Sequence, residues 1–291
     1  MKWVNMLLTA SAVSFLVPAA GAGQDAGKKD KDKEQPAKVA PPSPFPDKNL
    51  ETAVRAALHE PTAPLSDEKL ANLYFLEADG KSIRDLAGLE KCKNLALIKL
   101  TKNQIQELKS LKDLTHLQSL DLSGNKIADI SPLAGLVKLQ YLELSHNQVS
   151  KLEPLKGLTS LSALYLTGNQ LRDLAPLGSL VKLTSLSLGN NHIQDISVLS
   201  KITRITTLEL KDNQIADLTP LTKQTEISLL MLDRNQITDL TPLVAMAKAD
   251  SEGAKRFAPY LRLYLAGNPL SETAKTQQLA ALKGFGVRIE Y

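Results

Sequence analysis

Eight asparagines, Asn103, Asn125, Asn147, Asn169, Asn191, Asn213, Asn235 and Asn268, carry the most regular chemistry in the chain. The first seven stand 22 residues apart, and the eighth follows after 33. A carboxamide has two donors and two acceptors and does not titrate, so a column of them hydrogen-bonds backbone and moves no protons. The four histidines, His59, His116, His146 and His192, share no i, i+4 spacing, and the single cysteine, Cys92, offers no pair for zinc. Gly80-Lys81-Ser82 resembles the end of a phosphate loop, but Phe75 stands where that loop needs a glycine. No G-x-S-x-G nucleophile elbow is present. Asp129, Asp173, Asp195, Asp217 and Asp239 recur at one place in successive repeats, so they belong to the scaffold rather than to an acid–base pair. No catalysis, cofactor or metal is expected.

The asparagines sit in a repeated phrase, roughly L-x-x-L-x-L-x-x-N-x-I-x-D-L-x-P-L. One copy reads Leu117, Leu120, Leu122, Asn125, Ile127, Asp129, Ile130, Pro132, Leu133, Leu136. A fixed period of this length predicts a solenoid, each repeat one turn that buries its apolar edge against its neighbours. The spacing of Leu120 and Leu122 is strand alternation, so Asp121 between them points outward. Nine units are predicted, starting at Leu73, Leu95, Leu117, Leu139, Leu161, Leu183, Ile205, Ile227 and Tyr260. Their parallel strands would form a sheet about 40 Å long. Each asparagine is placed where the strand ends, satisfying backbone of its own turn and the next. The aspartates and Pro132, Pro154, Pro176, Pro220 and Pro242 suit short 3₁₀ turns on the return path. Lys81, at the asparagine position of the first unit, predicts an irregular turn there.

The outward strand positions are the ones the scaffold leaves free. At the third position stand Phe75, Leu97, Ser119, Tyr141, Ala163, Ser185, Thr207, Leu229 and Arg262; at the fifth, Glu77, Lys99, Asp121, Glu143, Tyr165, Ser187, Glu209, Met231 and Tyr264. Asp233 belongs to the seventh. Two patches carry interface chemistry, namely Tyr141, Glu143 and Tyr165 near the middle, and Leu229, Met231, Arg262 and Tyr264 toward the C-terminal end. With Glu209 and Asp233 these are the candidate partner-binding residues. The acids along the middle of the sheet suit a partner with basic groups. An insertion of 11 residues falls within Ala245 to Pro259, beside the second patch, where it would form a tolerated loop or one wall of the site.

Residues 1–22 have the pattern of a cleaved secretory signal: Lys2, an apolar run from Met6 to Val17, and Ala20-Gly21-Ala22 as a small-x-small cleavage site. Residues 23–46 read as a disordered spacer, charged from Lys28 to Glu34 and then rich in proline. Residues 47–72 are expected to form a helical N-terminal cap, 73–268 the repeats, and 269–291 a C-terminal cap through Leu279, Leu282, Val287 and Ile289. Aromatic content is 4% against 43% apolar, so leucine and isoleucine must build the core. A formal charge of +4 makes no case for nucleic acid, and no apolar stretch is long enough for an ordinary membrane span.

The asparagine column, the D-L-x-P-L element and the opening Phe45-Pro46-Asp47-Lys48-Asn49-Leu50 together resemble the 22-residue class of leucine-rich repeats, of the bacterial internalin-like kind. The resemblance covers about residues 45–291. It implies an α/β leucine-rich-repeat horseshoe with a concave parallel β-sheet and convex 3₁₀ or extended segments. It also implies a protein or peptide partner on the concave face. The repeats are followed by neither an immunoglobulin-like domain nor an L-P-x-T-G sorting signal, so invasion and wall anchoring are not implied. The expectation is an exported, monomeric, non-catalytic binding protein; the alternatives are an envelope spacer and a carbohydrate-binding module.

Overall fold

A computed structural model describes residues 43–253 and 255–291; the leader expected at 1–22 and the spacer residues 23–42 lie outside the described residues. The described residues belong to one compact unit. Its strands are β1 (Phe75–Glu77), β2 (Leu97–Lys99), β3 (Ser119–Asp121), β4 (Tyr141–Glu143), β5 (Ala163–Tyr165), β6 (Ser185–Ser187), β7 (Thr207–Glu209), β8 (Leu229–Met231), β9 (Arg262–Tyr264) and β10 (Arg288–Glu290). They pair in sequence order, all parallel, as one open sheet of ten. The register steps by 22 residues from β1 to β8, so Leu76, Ile98, Leu120 and their equivalents stack in one inward column. The tenth strand exceeds the nine expected. It comes from the segment read as a terminal cap, where Arg288 and Glu290 flank Ile289 as outward residues flank an inward one.

The leucine phrase sets the path of each turn. Leu117, Leu120, Leu122, Ile127, Leu133 and Leu136 have no measurable exposure, and the same holds for nearly all their equivalents. The return path is too short for a long helix and carries 3₁₀ turns, such as Ser131–Leu133, Ala175–Ser179 and Thr219–Lys223. Proline sits in the first turn of each of these three, where its missing N–H is not needed. The preceding aspartate accepts the N–H two residues on: Ser131 to Asp129, Ala175 to Asp173, Ser197 to Asp195 and Thr219 to Asp217, at 2.7–2.8 Å. Asp239 does the same more loosely for Thr241, at 3.2 Å.

The asparagine column serves a different neighbour from the one expected. Asn125 Oδ1 accepts the Ile105 N–H at 3.0 Å, and Nδ2 donates to Leu100 O and Leu122 O at 3.0 and 2.8 Å. The partners lie in its own turn and in the preceding one, not the next. The same geometry recurs at Asn147, Asn169, Asn191, Asn213 and Asn235. Asn103 therefore closes the first unit, accepting from both Lys81 N and Ile83 N at 3.0 Å. Lys81 is tolerated because that turn borrows its carboxamide from the turn after it.

The ends depart from the repeat. Helix α1 (Lys48–Leu58) begins at Asp47, whose side chain accepts from Asn49 N and Leu50 N, and it buries Leu50 and Val54. The other oxygen of Asp47 accepts from Arg84 N and Asp85 N, tying the helix start to the first unit. Phe45, included in the predicted spacer, is buried under Gly88, so the packed chain begins before Asp47. A short helix α2 (Asp67–Leu70) precedes β1. The inserted residues extend the turn after Asp239 into helix α3 (Thr241–Glu252), which packs on the 3₁₀ turn Thr219–Lys223 and on helix α4 (Leu279–Gly284). The helical part of the insertion, through Glu252, thus lies along the return path. The insertion also changes the approach to β9: Tyr260, read as an inward residue, is 67% exposed, and Leu261 is buried instead.

Candidate binding surface

Third and fifth positions flank the buried residue of each strand. From β2 to β8 they are half-buried, apart from the more deeply set Ser187. The strands are only three residues long, so every outward side chain lies in one of two rows, with lateral steps of about 4.8 Å set by strand pairing.

The first patch comes together as predicted. Tyr141 and Tyr165 lie on adjacent strands with ring centroids 5.5 Å apart and planes tilted by 46°. The separation lies within the roughly 4.5–7 Å range over which aromatic rings attract each other. Glu143 pairs laterally with Tyr165, and its Oε1 accepts the Ser145 N–H at 2.7 Å. Burial raises the Glu143 carboxyl above its ordinary range; the Ser145 hydrogen bonds pull against this, and the nearby charges of Asp121 and Glu209 add to the rise. Burial, followed by the charges of Glu143 and Asp121, pushes the Tyr141 hydroxyl strongly upward, so it stays a neutral donor.

The other acids have local work. Asp121 Oδ1 accepts from the Ser123 N–H and hydroxyl at 3.0 and 2.8 Å. Asp79 accepts the Thr101 N–H and holds Lys99 at 2.8 Å. Asp233 accepts the Ala266 N–H at 3.0 Å. The Lys211 ammonium lies 2.8 Å from Glu209 Oε1, yet that oxygen has no formed hydrogen bond, so the contact is an ion pair held off the bonding direction. Several outward carboxylates thus cap backbone at the strand ends, a role invisible in a count of charges.

The second patch also assembles, since Leu229 pairs with Arg262 and Met231 with Tyr264. It is separated from the first by β6 and β7, which places Tyr165 and Met231 about 14 Å apart at the usual strand spacing. Strand β10 adds Arg288 beside Arg262 and Glu290 beside Tyr264, residues absent from the sequence-based site. A groove of about 660 Å³ between α1 and β1 was also missed. Ala53, Ala56 and Ala57 form its helix side, and Tyr74 and Phe75, 49% and 64% exposed, its strand side. Its signal was present: alanines on one helical face, followed by two adjacent aromatics.

Cys92 is buried, and burial pushes its thiol up to about 12. The histidines stay apart: His116 contacts Lys93 O, and His146 stands against Gly168. No cluster of His, Cys, Asp and Glu able to hold a metal exists among the described residues. No helix among them is long and apolar enough to cross a membrane.

A family model for leucine-rich repeats matches residues 93–135, 137–179, 159–201 and 181–223. The crystal structure of internalin C2 from Listeria monocytogenes is 32% identical, with a TM-score of 0.69, covering 80% of this chain and 99% of that one. The chain belongs to the internalin-like leucine-rich-repeat proteins. The functional domain of InlJ from the same organism, which includes a cysteine ladder, is 26% identical over 78% of this chain and 52% of that one, with a TM-score of 0.60. Internalin F of Listeria monocytogenes shares the fold at 22% identity and a TM-score of 0.57, over 87% and 94% of the two chains. No curated protein matches the sequence. This internalin-like chain carries asparagines along its column and a single cysteine. The fold is one typically used for protein–protein contact, and nothing in the site geometry resembles a catalytic centre.

Proposed function

We propose that this is an exported binding protein that holds a protein or peptide on its concave sheet and acts as a monomer without catalysis. The observation that carries the reading is the Tyr141–Tyr165 pair beside half-buried Glu143, on positions that the repeat leaves free. Tyrosine at a half-buried site offers rigid area and a polar tip, the usual anchor of an interface. The second patch, Leu229, Met231, Arg262 and Tyr264, gives the same face a further apolar and cationic foothold, with Glu209 and Asp233 between and beside the two. Export rests on the leader pattern of residues 1–22.

The test is capture by cross-linking in extracts of the source cell, followed by affinity measurements with Tyr165→Ala and Tyr264→Ala. Both variants should weaken binding of the captured partner while the melting temperature barely moves. Unchanged affinity in both would refute the concave site. N-terminal sequencing of the mature protein should begin at Gly23, and a retained leader would refute export by cleavage.

A further inference from the structure

Resting on the reading that the sheet face binds a partner, we propose that β5–β7 form a socket for an arginine side chain of that partner. Ser187 is the floor, Tyr165 one wall and the Glu209 carboxylate the other.

The register sets these three in line, Tyr165 beside Ser187 and Ser187 beside Glu209. The parallel row on the same strands holds Ala163, Ser185 and Thr207, all small. Between the tyrosine pair and Leu229 and Met231, the β6 positions thus carry only serines. Ser187 is 7% exposed, and its hydroxyl meets no hydrogen-bond partner among the described residues. Ser145, buried to the same degree, differs: its hydroxyl accepts the Thr167 N–H at 3.1 Å. Ser187 stands at an outward strand position between the inward Leu186 and Leu188, so its hydroxyl is presented on the concave side as an unused acceptor and donor. Gly189 supplies the room in which Glu209 lies, since a Cβ there would come within 2.8 Å of Glu209 Oε1.

Charge selects the occupant. The third, fifth and seventh positions of the repeats carrying β3–β7 contain three acids, Asp121, Glu143 and Glu209, against one base, Lys211. Glu143 already feels both other carboxylates, and a cation placed among them relieves that repulsion. A guanidinium fits better than an ammonium. Its plane lies against the Tyr165 ring while its fork of donors reaches both the Ser187 hydroxyl and the Glu209 carboxylate. An ammonium would only duplicate what Lys211 already does.

The experiment titrates the full chain with fluorescein-labelled hexa-arginine, with hexa-lysine and hexa-glutamate as comparisons, by anisotropy at low and physiological ionic strength. Hexa-arginine should bind more tightly than hexa-lysine by about threefold or more, from the planar stacking and forked donors that an ammonium lacks. Glu209→Gln and Ser187→Tyr, which remove the charge and fill the floor, should each weaken it by about tenfold or more. Lys211→Ala frees Glu209 and should tighten it by about threefold. Absence of hexa-arginine binding, equal binding of the two cationic peptides, or wild-type affinity in folded Glu209→Gln overturns the socket. The same variants are then assayed with the cross-linked partner. If Tyr165→Ala or Tyr264→Ala weakens capture while Glu209→Gln and Ser187→Tyr do not, the face stands and the socket falls. If neither tyrosine variant weakens it, the face falls and the socket with it.

Discussion

Replacing Asn147 by alanine should destabilise the array by an amount set by which backbone groups lose their only partner. Asn147 Oδ1 accepts the Ile127 N–H, and Nδ2 donates to Leu122 O and Leu144 O, each at 3.0 Å. The two carbonyls are shared. Leu122 O also receives Asn125 Nδ2 at 2.8 Å, and Leu144 O also receives Asn169 Nδ2 at 3.0 Å. Only the buried Ile127 N–H is orphaned, so the cost is about 1–3 kcal/mol. Asn103→Ala orphans two N–H groups, Lys81 and Ile83, together with Ala78 O. It should cost more, about 2–5 kcal/mol, because one of those donors is less buried than the other. Asn268 is only half-buried, and its acceptor bond to Ile237 N is long at 3.2 Å. Water can replace it there, which limits the cost to about 1 kcal/mol. Urea unfolding of the full chain, followed by far-UV circular dichroism, gives all three values. An Asn147→Ala midpoint equal to wild type, or a larger loss for Asn268→Ala than for Asn103→Ala, would refute the accounting by orphaned groups.

Three further outcomes are expected. Burial alone would raise the Asp47 carboxyl, but hydrogen bonds from Arg84, Leu50, Asp85 and Asn49 outweigh it and hold the pKa below 3.8. The stability it adds is complete above that value and lost as pH falls through the lower folded pKa. Asp47→Asn should therefore unfold earlier than wild type at neutral pH, with the gap closing in acid; a gap independent of pH would count against this. Glu143 is shifted the other way, so its charged form is penalised in the fold. Glu143→Gln should raise the melting temperature at pH 7 and leave it unchanged well below pH 4.5, the ordinary value. A lowered melting temperature at pH 7 would contradict the assigned shift. Cys92, with its thiol near 12 and no exposure, should react with Ellman's reagent only after denaturant is added; rapid labelling of the folded chain would show otherwise.

The inward residues were legible because their spacing is fixed by the strand pleat and repeated many times. Leu120, Leu142 and Leu164 had one possible destination, and they stack in it. The aspartate caps were legible for the same reason. The direction of the asparagine bonds was not, since a 22-residue period looks the same read forward or backward. Strand β10 was hidden because a single terminal strand repeats nothing. Tyr260 misled because the insertion reset the phase before β9. At the site, lateral neighbours such as Tyr141 and Tyr165 followed directly from register. What register could not supply was occupancy: Asp121 and Asp233 stand at the outward positions expected but, like Asp79, are engaged by N–H groups at the strand ends. The same limit concealed Ser187, whose interest lies in a hydrogen bond that it does not make.

Because every carboxamide completes the coil that came before it, the array has a polarity. Gene duplication that appends a unit downstream delivers, with the new coil, the group its predecessor lacks. Trimming from the N-terminal side removes a coil together with its obligations, whereas trimming from the C-terminal side strips the closure from a coil that remains. Engineered versions of different length should therefore keep the native terminal segment and lose or gain interior units in whole multiples of 22 residues.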